Sequence, residues 1–280
     1  MQDVAIIGAG QMGAGITQYL AMNNINVTLI DYKESNIKRA SGAIRNSLNR
    51  LLSKEKISEL DLVGIQDRIH YSTALSSCSE MDLVIEAIPE EIEKKEQLLI
   101  ELNGILNEHT IVATNTSSLS ITKLGTLFKD PTRVIGLHFF NPAVIMPLVE
   151  IIRGLETSKE TVDKVTSFIG NINKEPVFVQ DRSGFIVNRI LIPMINEAFF
   201  VLQDGIATAE EIDKAMKLGS NQPMGPLELA DFIGLDTCLS IMETLHINFG
   251  EDKYRPAPLL RKYVEANRLG RKTKKGIYTY

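Results

Sequence analysis

The sequence predicts an α/β fold, a doubly wound and mostly parallel sheet followed by a smaller all-helical C-terminal domain, and three features carry that reading. Short β-branched runs alternate with helical stretches over residues 1–182, which is how parallel strands joined by crossover helices look in sequence. A Gly-x-Gly-x-x-Gly motif follows the first apolar run. The alternation then stops, because residues 183–280 hold helical patterns and no convincing strand. The change falls at Asp181-Arg182-Ser183-Gly184, giving a sheet domain over 1–182 and a helical domain over 183–280.

Taken in order, strands are expected at Val4 to Ile7, Asn26 to Asp31, Ile69 to Tyr71, Asp82 to Ala87, Ile111 to Asn115 and Val134 to His138. Leu148 to Ile152 and Val177 to Val179 flank a helix near Lys159 to Gly170 and extend the sheet at one edge. Helices are then expected over Phe185 to Leu202, Thr208 to Leu218, Pro226 to Phe232, Asp236 to Phe249 and Leu259 to Asn267. Met194, Phe199, Phe200, Leu227, Phe232 and Ile241 supply more apolar surface than one small bundle needs to bury, which gives weak support to a homodimer through this domain.

Composition bounds the function. With 280 residues the chain can bury a sizeable core without staples. Its 30 Lys+Arg against 35 Asp+Glu give a formal charge of −5, which argues against a general nucleic-acid binder. Cys78 and Cys238 are far apart and show no Cys/His spacing, so neither a disulfide nor a metal site is expected. Both read as small buried apolar residues. The start Met1-Gln2-Asp3-Val4 lacks the cationic stretch of a secretory signal, and no apolar run nears the roughly 18 residues of a membrane span. A cytoplasmic chain with no membrane partner is the expectation.

Ile6-Ile7-Gly8-Ala9-Gly10-Gln11-Met12-Gly13 sets the glycine motif between a strand and a helix, the context in which it binds a dinucleotide. Gly8 permits the tight turn, Gly10 lets backbone approach a pyrophosphate, and Gly13 allows helix and strand to pack closely. Gln11 and Met12 within the motif, and Ala87 at the end of the fourth expected strand, join the same candidate site. Asp31, at the end of the second strand, suits the adenine ribose hydroxyls and repels a 2′-phosphate, so a Rossmann-type domain that takes NAD rather than NADP is expected. Between Asn36 and Lys54 the chain carries Lys38, Arg39, Arg45, Arg50 and Lys54 and no acid. Ser47, Arg50 and Lys54 share one helical face, which suits a phosphate-bearing ligand such as coenzyme A, or is merely a solvated cationic face.

His138 and Glu150 flank Phe139-Phe140-Asn141-Pro142 and Met146-Pro147-Leu148-Val149. An imidazole that takes a proton from an alcohol needs one nitrogen held by an acceptor, and a carboxylate supplies it. Asn115 and Ser117 follow one predicted strand and His138 ends another, so all three come to the same carboxyl rim, where ligands of doubly wound sheets bind. Asn188 is a further donor one helical turn into the second domain. Taken singly, each residue has a bland explanation, such as a satisfied core histidine or a helix cap; their clustering beside a nucleotide site favours chemistry.

These motifs, with Asn115-Thr116-Ser117-Ser118-Leu119, His138-Phe139-Phe140-Asn141-Pro142, Leu148-Val149-Glu150, Gly184-Phe185-Ile186-Val187-Asn188-Arg189 and Pro223-Met224-Gly225-Pro226, make the chain resemble the 3-hydroxyacyl-CoA dehydrogenases. The likeness is greatest to the short bacterial 3-hydroxybutyryl-CoA dehydrogenases and runs over essentially the whole length. The resemblance implies that His138 is the acid/base, Glu150 its partner, and Ser117 and Asn188 the donors to the substrate's C3 oxygen or thioester carbonyl. It also implies that Glu90, Lys95, Asn115, Asn141 and Lys272, with Ser117, contact NAD, and that Ser47, Lys54 and Ser117 handle CoA; Arg50 is added from helix geometry. Val144 and Pro147 depart from the Pro and Lys common in relatives, Lys274 and Lys275 from a more glycine-rich ending, and Arg182-Ser183 from Ala-Pro. Two other readings stand beside it: an L-gulonate-type hydroxyacid dehydrogenase, which needs no CoA face, and a crystallin-like or redox-sensing protein without activity, against which intact Ser117, His138, Glu150 and Asn188 speak.

Overall fold

Strands that are covered on both faces read as continuous apolar runs rather than alternating ones, and residues 4–7, 83–85, 111–113 and 134–137 follow that rule. The computed structural model describes residues 1–280 as two units, Met1–Asp181 and Arg182–Tyr280. In the first, β1 (Asp3–Ile7), β2 (Asn26–Ile30), β3 (Ile69–Ser72), β4 (Leu83–Glu86), β5 (Ile111–Thr114), β6 (Val134–Phe139), β7 (Leu148–Arg153) and β8 (Glu175–Gln180) form one sheet. Its order is β3-β2-β1-β4-β5-β6-β7-β8, and the first six positions match the strand order of dinucleotide-binding sheets. Pairing is parallel except between β6 and β7, which run antiparallel.

The helices of this unit are α1 (Gln11–Met22), α2 (Glu34–Ser53), α3 (Glu59–Asp67), α4 (Ile92–Leu102), α5 (Ile121–Gly125) and α6 (Lys159–Asn171). Ile16 and Leu20 of α1 and Ile44 and Leu48 of α2 join Val4, Ile6, Val27, Leu29, Ile85 and Ile135 in one buried core. At roughly 1.5–3 kcal/mol for each large aliphatic side chain fully buried, this core holds the rim of strand ends in place. The last residue of the unit is pinned as well: the Asp181 carboxylate accepts from Ser120 Oγ, Ile121 N and Thr122 N, closing the N-terminus of α5.

The second unit contains α7 (Val187–Gln203), α8 (Ala209–Gly219), α9 (Pro226–Ile233), α10 (Leu235–Phe249) and α11 (Pro258–Glu265). The first of these begins two residues later than its apolar pattern suggests, because Gly184 and Phe185 have φ of 75° and 50° and cannot continue a right-handed helix. Two buried carboxylates organise the bundle. Asp213 accepts from Leu227 N, Glu228 N and the Tyr278 hydroxyl, and Asp231 from Ile277 N, Tyr278 N and the Tyr280 hydroxyl, so the C-terminal segment is stapled to α9.

One expectation about this unit is corrected. Phe199 and Leu227 lie in its own core, and Met194, Phe200 and Ile241 are half-buried; of the six apolar residues singled out, Phe232 alone is exposed. The large aliphatic side chains most open to solvent are instead Ile190, Ile206, Leu218 and Ile247. Cys78 and Cys238 are free and buried, and burial pushes their thiols up to about 11 and about 12. No helix is long and apolar enough to cross a membrane.

Candidate active site

The register of the one antiparallel pair builds the reacting centre. His138 of β6 and Glu150 of β7 are direct Cα partners, and directly opposed residues project from the same face of a sheet. Both are buried, and His138 Nδ1 stands 2.7 Å from Glu150 Oε2. A carboxylate only accepts, so Nδ1 carries the proton and Nε2 is the basic nitrogen. Nε2 lies 3.1 Å from Ser117 Oγ, which therefore donates to it. The ring of Phe140 packs against the imidazole, with centroids 4.4 Å apart.

Ser117 is held by Glu90. One carboxylate oxygen of Glu90 accepts from Thr116 Oγ1, Ser117 N, Ser118 N and Ser118 Oγ at 2.5–3.1 Å, while the other stands 3.3 Å from Lys95 Nζ. Burial alone would raise the Glu90 pKa, but the Lys95 charge and these hydrogen bonds outweigh it, and the carboxyl sits below its ordinary range. Lys95 is itself almost fully buried and pairs with Glu86 at 2.6 Å. Glu86 is closed by Ile88 N and Thr114 Oγ1. Sequence reading missed Glu86, although a carboxylate ending the apolar run Leu83-Val84-Ile85 was a signal that something must pair with it.

A serine, a histidine and a carboxylate in line also describe an acyl-transfer triad. That chemistry needs amides directed at a developing oxyanion. Here the amides of Ser117 and Ser118 are committed to Glu90, whose negative charge opposes an oxyanion beside it. The arrangement favours proton transfer to and from Nε2 instead.

The glycine turn fits a dinucleotide. Gly8 has φ of 112°, and a Cβ there would lie 2.6 Å from the Ala87 carbonyl oxygen, while one on Gly13 would lie 1.8 Å from the Gly8 oxygen. A Cβ on Gly10 would meet nothing within 4 Å, so open space lies over the start of α1, where no side chain caps the first-turn amides and no acid competes with an anion. Asp31 is buried: Oδ2 accepts from Ala9 N and Oδ1 from Lys33 N and Asn36 Nδ2, which locks the glycine turn to the end of β2. Met12 packs partly buried on the core. Gln11 Nε2 donates to Asn141 Oδ1, and Asn115 Oδ1 accepts from Phe139 N. Gly8, Gly10, Asp31, Ala87, Glu90, Asn115, Ser117 and Asn141 thus belong to strand ends and loops of the first unit, Gln11, Met12 and Gly13 to the first turn of α1, and Lys95 to α4.

Ser47 and Arg50 lie on α2, half-buried and exposed respectively, and exposed Lys54 follows its last turn. Arg50 Nε donates to Asn46 O; neither cation enters a salt bridge. Asn188 and Lys272 belong to the second unit. Asn188 is the second residue of α7 and half-buried. Lys272 Nζ donates to both oxygens of Asp236 and to Thr237 Oγ1.

Comparison with known proteins agrees with this geometry. Residues 3–182 match the NAD-binding domain of 3-hydroxyacyl-CoA dehydrogenase, and residues 184–280 match that family's C-terminal domain. A probable 3-hydroxybutyryl-CoA dehydrogenase of Deinococcus radiodurans is 48% identical over 98% of this chain and 99% of its own. A 3-hydroxybutyryl-CoA dehydrogenase of Clostridioides difficile is 47% identical over 99% of each. The crystal structure of (S)-3-hydroxybutyryl-CoA dehydrogenase from Ralstonia eutropha superposes with a TM-score of 0.96 at 48% identity, covering 100% of this chain and 99% of that one. The cofactor of the sheet unit is NAD, and the chain belongs to the 3-hydroxyacyl-CoA dehydrogenase family.

Proposed function

We propose that this protein catalyses the reversible oxidation of a short-chain (S)-3-hydroxyacyl-CoA, 3-hydroxybutyryl-CoA above all, to the 3-ketoacyl-CoA, acetoacetyl-CoA. The observation that carries this reading is the relay from Glu150 through His138 to Ser117 at the strand ends beside the glycine turn. The relatives named 3-hydroxybutyryl-CoA dehydrogenase support the substrate.

Bound NAD supplies the acceptor for the hydride that leaves C3 of the substrate. His138 Nε2 takes the proton of the C3 hydroxyl, and Glu150 stabilises the imidazolium that results. Ser117 and Asn188 act as neutral donors to the C3 oxygen or the thioester carbonyl, stabilising charge without competing for the proton. In the reverse direction His138 returns the proton to the oxygen. Gly8, Gly10, Gln11, Met12 and Gly13 receive the pyrophosphate, Asp31 the adenine ribose, and Ala87, Glu90, Asn115, Ser117, Asn141 and Lys272 the remainder of the cofactor. Lys95 acts on it through Glu90. Ser47, Arg50 and Lys54, with Ser117, bind CoA, and this cationic face favours a CoA thioester over a free hydroxyacid.

On this reading residues 1–182 form the NAD-binding domain and residues 183–280 the substrate and dimerisation domain. Exposed Ile190, Ile206, Leu218 and Ile247 support a homodimer through the helical unit, and two free, buried cysteines suit the cytoplasm. The test is NADH consumption with acetoacetyl-CoA, longer 3-ketoacyl-CoA thioesters and free ketoacids. Turnover should be fastest with acetoacetyl-CoA; consumption with free acids and none with thioesters would move the assignment to the gulonate-type enzymes.

A further inference from the structure

The loop Phe140 to Pro147 joins the strand of His138 to the strand of Glu150, and a single buried cation lies against it. Lys174 sits in the turn between α6 and β8 with 3% of its surface exposed. Its ammonium donates to Ala143 O at 2.6 Å and Met146 O at 2.5 Å and stands 3.6 Å from the centroid of the Tyr19 ring. Two carbonyls and an aromatic face, rather than a carboxylate, receive the charge. An ammonium taken out of water is costly to keep, and burial pushes this one down to about 8. All of its attachments lead to one loop and one helix.

Those attachments form a closed set. Tyr19 belongs to α1, the helix that starts at the glycine turn, and its hydroxyl donates to Ile172 O at 2.8 Å, tying the ring to the turn that carries Lys174. Ala143 lies against Gly15 of α1, where a Cβ would come within 3.3 Å of the Ala143 Cβ. Gln11 holds Asn141 from the start of the same helix, and Glu175 N donates to Pro147 O at the loop's far end. Phe140, at the near end, covers the imidazole. The loop's shape therefore sets what lies on His138 and where Asn141 stands relative to the glycine turn.

We propose that Lys174 is a positioning residue for the proton-transfer pair: its ammonium clamps the 140–147 loop onto the cofactor helix, and so holds Phe140 and Asn141 in place around His138. This rests on the acid/base role given to His138 above. Lys174→Met keeps the stem and removes the charge, and two readouts test it. In the protein alone, amide hydrogen exchange over residues 139–147 should quicken roughly ten-fold or more while the strands keep their protection. In NADH-dependent reduction of acetoacetyl-CoA, kcat should fall about 10²-fold, as expected when a reacting group is misplaced by an ångström. The KM for acetoacetyl-CoA should stay within about three-fold, and Lys174→Arg, which keeps a donor cation, should recover part of the loss. Unchanged loop exchange, or kcat within about two-fold of wild type, overturns the proposal. A wild-type protein inactive on acyl-CoA substrates would sink the substrate reading alone, and loop exchange would still decide the role of Lys174. If Lys174→Met does not fold, Tyr19→Leu removes the ring and leaves the ammonium. Faster loop exchange with a lower kcat in that variant supports the clamp, and wild-type behaviour in either measurement overturns it.

Discussion

Glu150 faces His138 across the only antiparallel pair of the sheet, and the two side chains meet at 2.7 Å with both residues buried. Reversal of direction between β6 and β7 brings residues twelve apart in sequence to the same height on one face, which a parallel crossover does not do over so short a connection. The carboxylate then fixes the imidazole tautomer and, in the proposed mechanism, compensates the charge that the imidazole acquires.

Glu150→Gln keeps an acceptor oxygen for Nδ1 and removes the charge. His138→Gln removes the base. Both variants should bind NADH nearly as wild type does and lose kcat by about 10²–10⁴-fold, with His138→Gln the more severe. Stopped-flow binding and steady-state turnover separate the two quantities; near-native turnover in either variant would remove that residue from the mechanism.

Asp31 holds Ala9 N and Asn36, and in the proposed function it also receives the adenine ribose. Asp31→Ala should therefore weaken NADH binding through the loosened turn and, because the charge is gone, weaken NADPH binding less. The ratio of kcat/KM for NADH to that for NADPH should narrow by about ten-fold, or 1.4 kcal/mol. An unchanged ratio measured at matched ionic strength would take cofactor choice away from Asp31.

Lys54 is exposed and unpaired in any salt bridge, as a cation awaiting a phosphate would be. Lys54→Ala should raise the KM for acetoacetyl-CoA roughly three- to ten-fold at low salt, a value within reach of one charge-assisted contact, and should leave the KM for NADH nearly unchanged. The effect should shrink as salt is added. Equal changes in both constants would argue that α2 does not touch CoA.

The sheet was legible because buried parallel strands announce themselves as apolar runs and because Gly8, Gly10 and Gly13 mark a strand-to-helix turn. The reacting pair was legible because His138 ends one run and Glu150 sits in the next. What stayed hidden were residues whose partners are backbone atoms. Glu90 was reached only through the family resemblance, and its grip on the amides of Ser117 and Ser118 was not foreseen, while Lys174, held by two carbonyls, was not singled out at all; such partners leave no pattern in the sequence. Phe185 was read into a helix because its apolar spacing fits one, while its left-handed backbone depends on the junction at Gly184. Likewise Phe199 and Leu227 were counted as surplus apolar surface, since periodicity shows which residues want burial and not how much of it the bundle provides.

Glu90 also ties stability to acid. Its carboxyl is held below the ordinary range in the folded protein, burial being the largest influence and opposing, with Lys95 and the Thr116, Ser117 and Ser118 donors together prevailing. A depressed native value means that the unfolded chain binds the proton more readily, so the contribution of this group is fully present above about 4.3, the ordinary glutamate value. It fades as pH falls through the lowered native value. Glu90→Gln removes that linkage. The urea midpoint of wild type should exceed that of the variant at pH 7, and the gap should close progressively as pH falls below about 5. Activity should follow a separate course: at pH 7, where both are folded, the variant should turn over more slowly because the Ser117 turn is no longer gathered by a charge. A stability gap that stays constant from neutral to acid pH would mean that Glu90 contributes through packing alone, and that the Ser117 turn keeps its shape without the carboxylate.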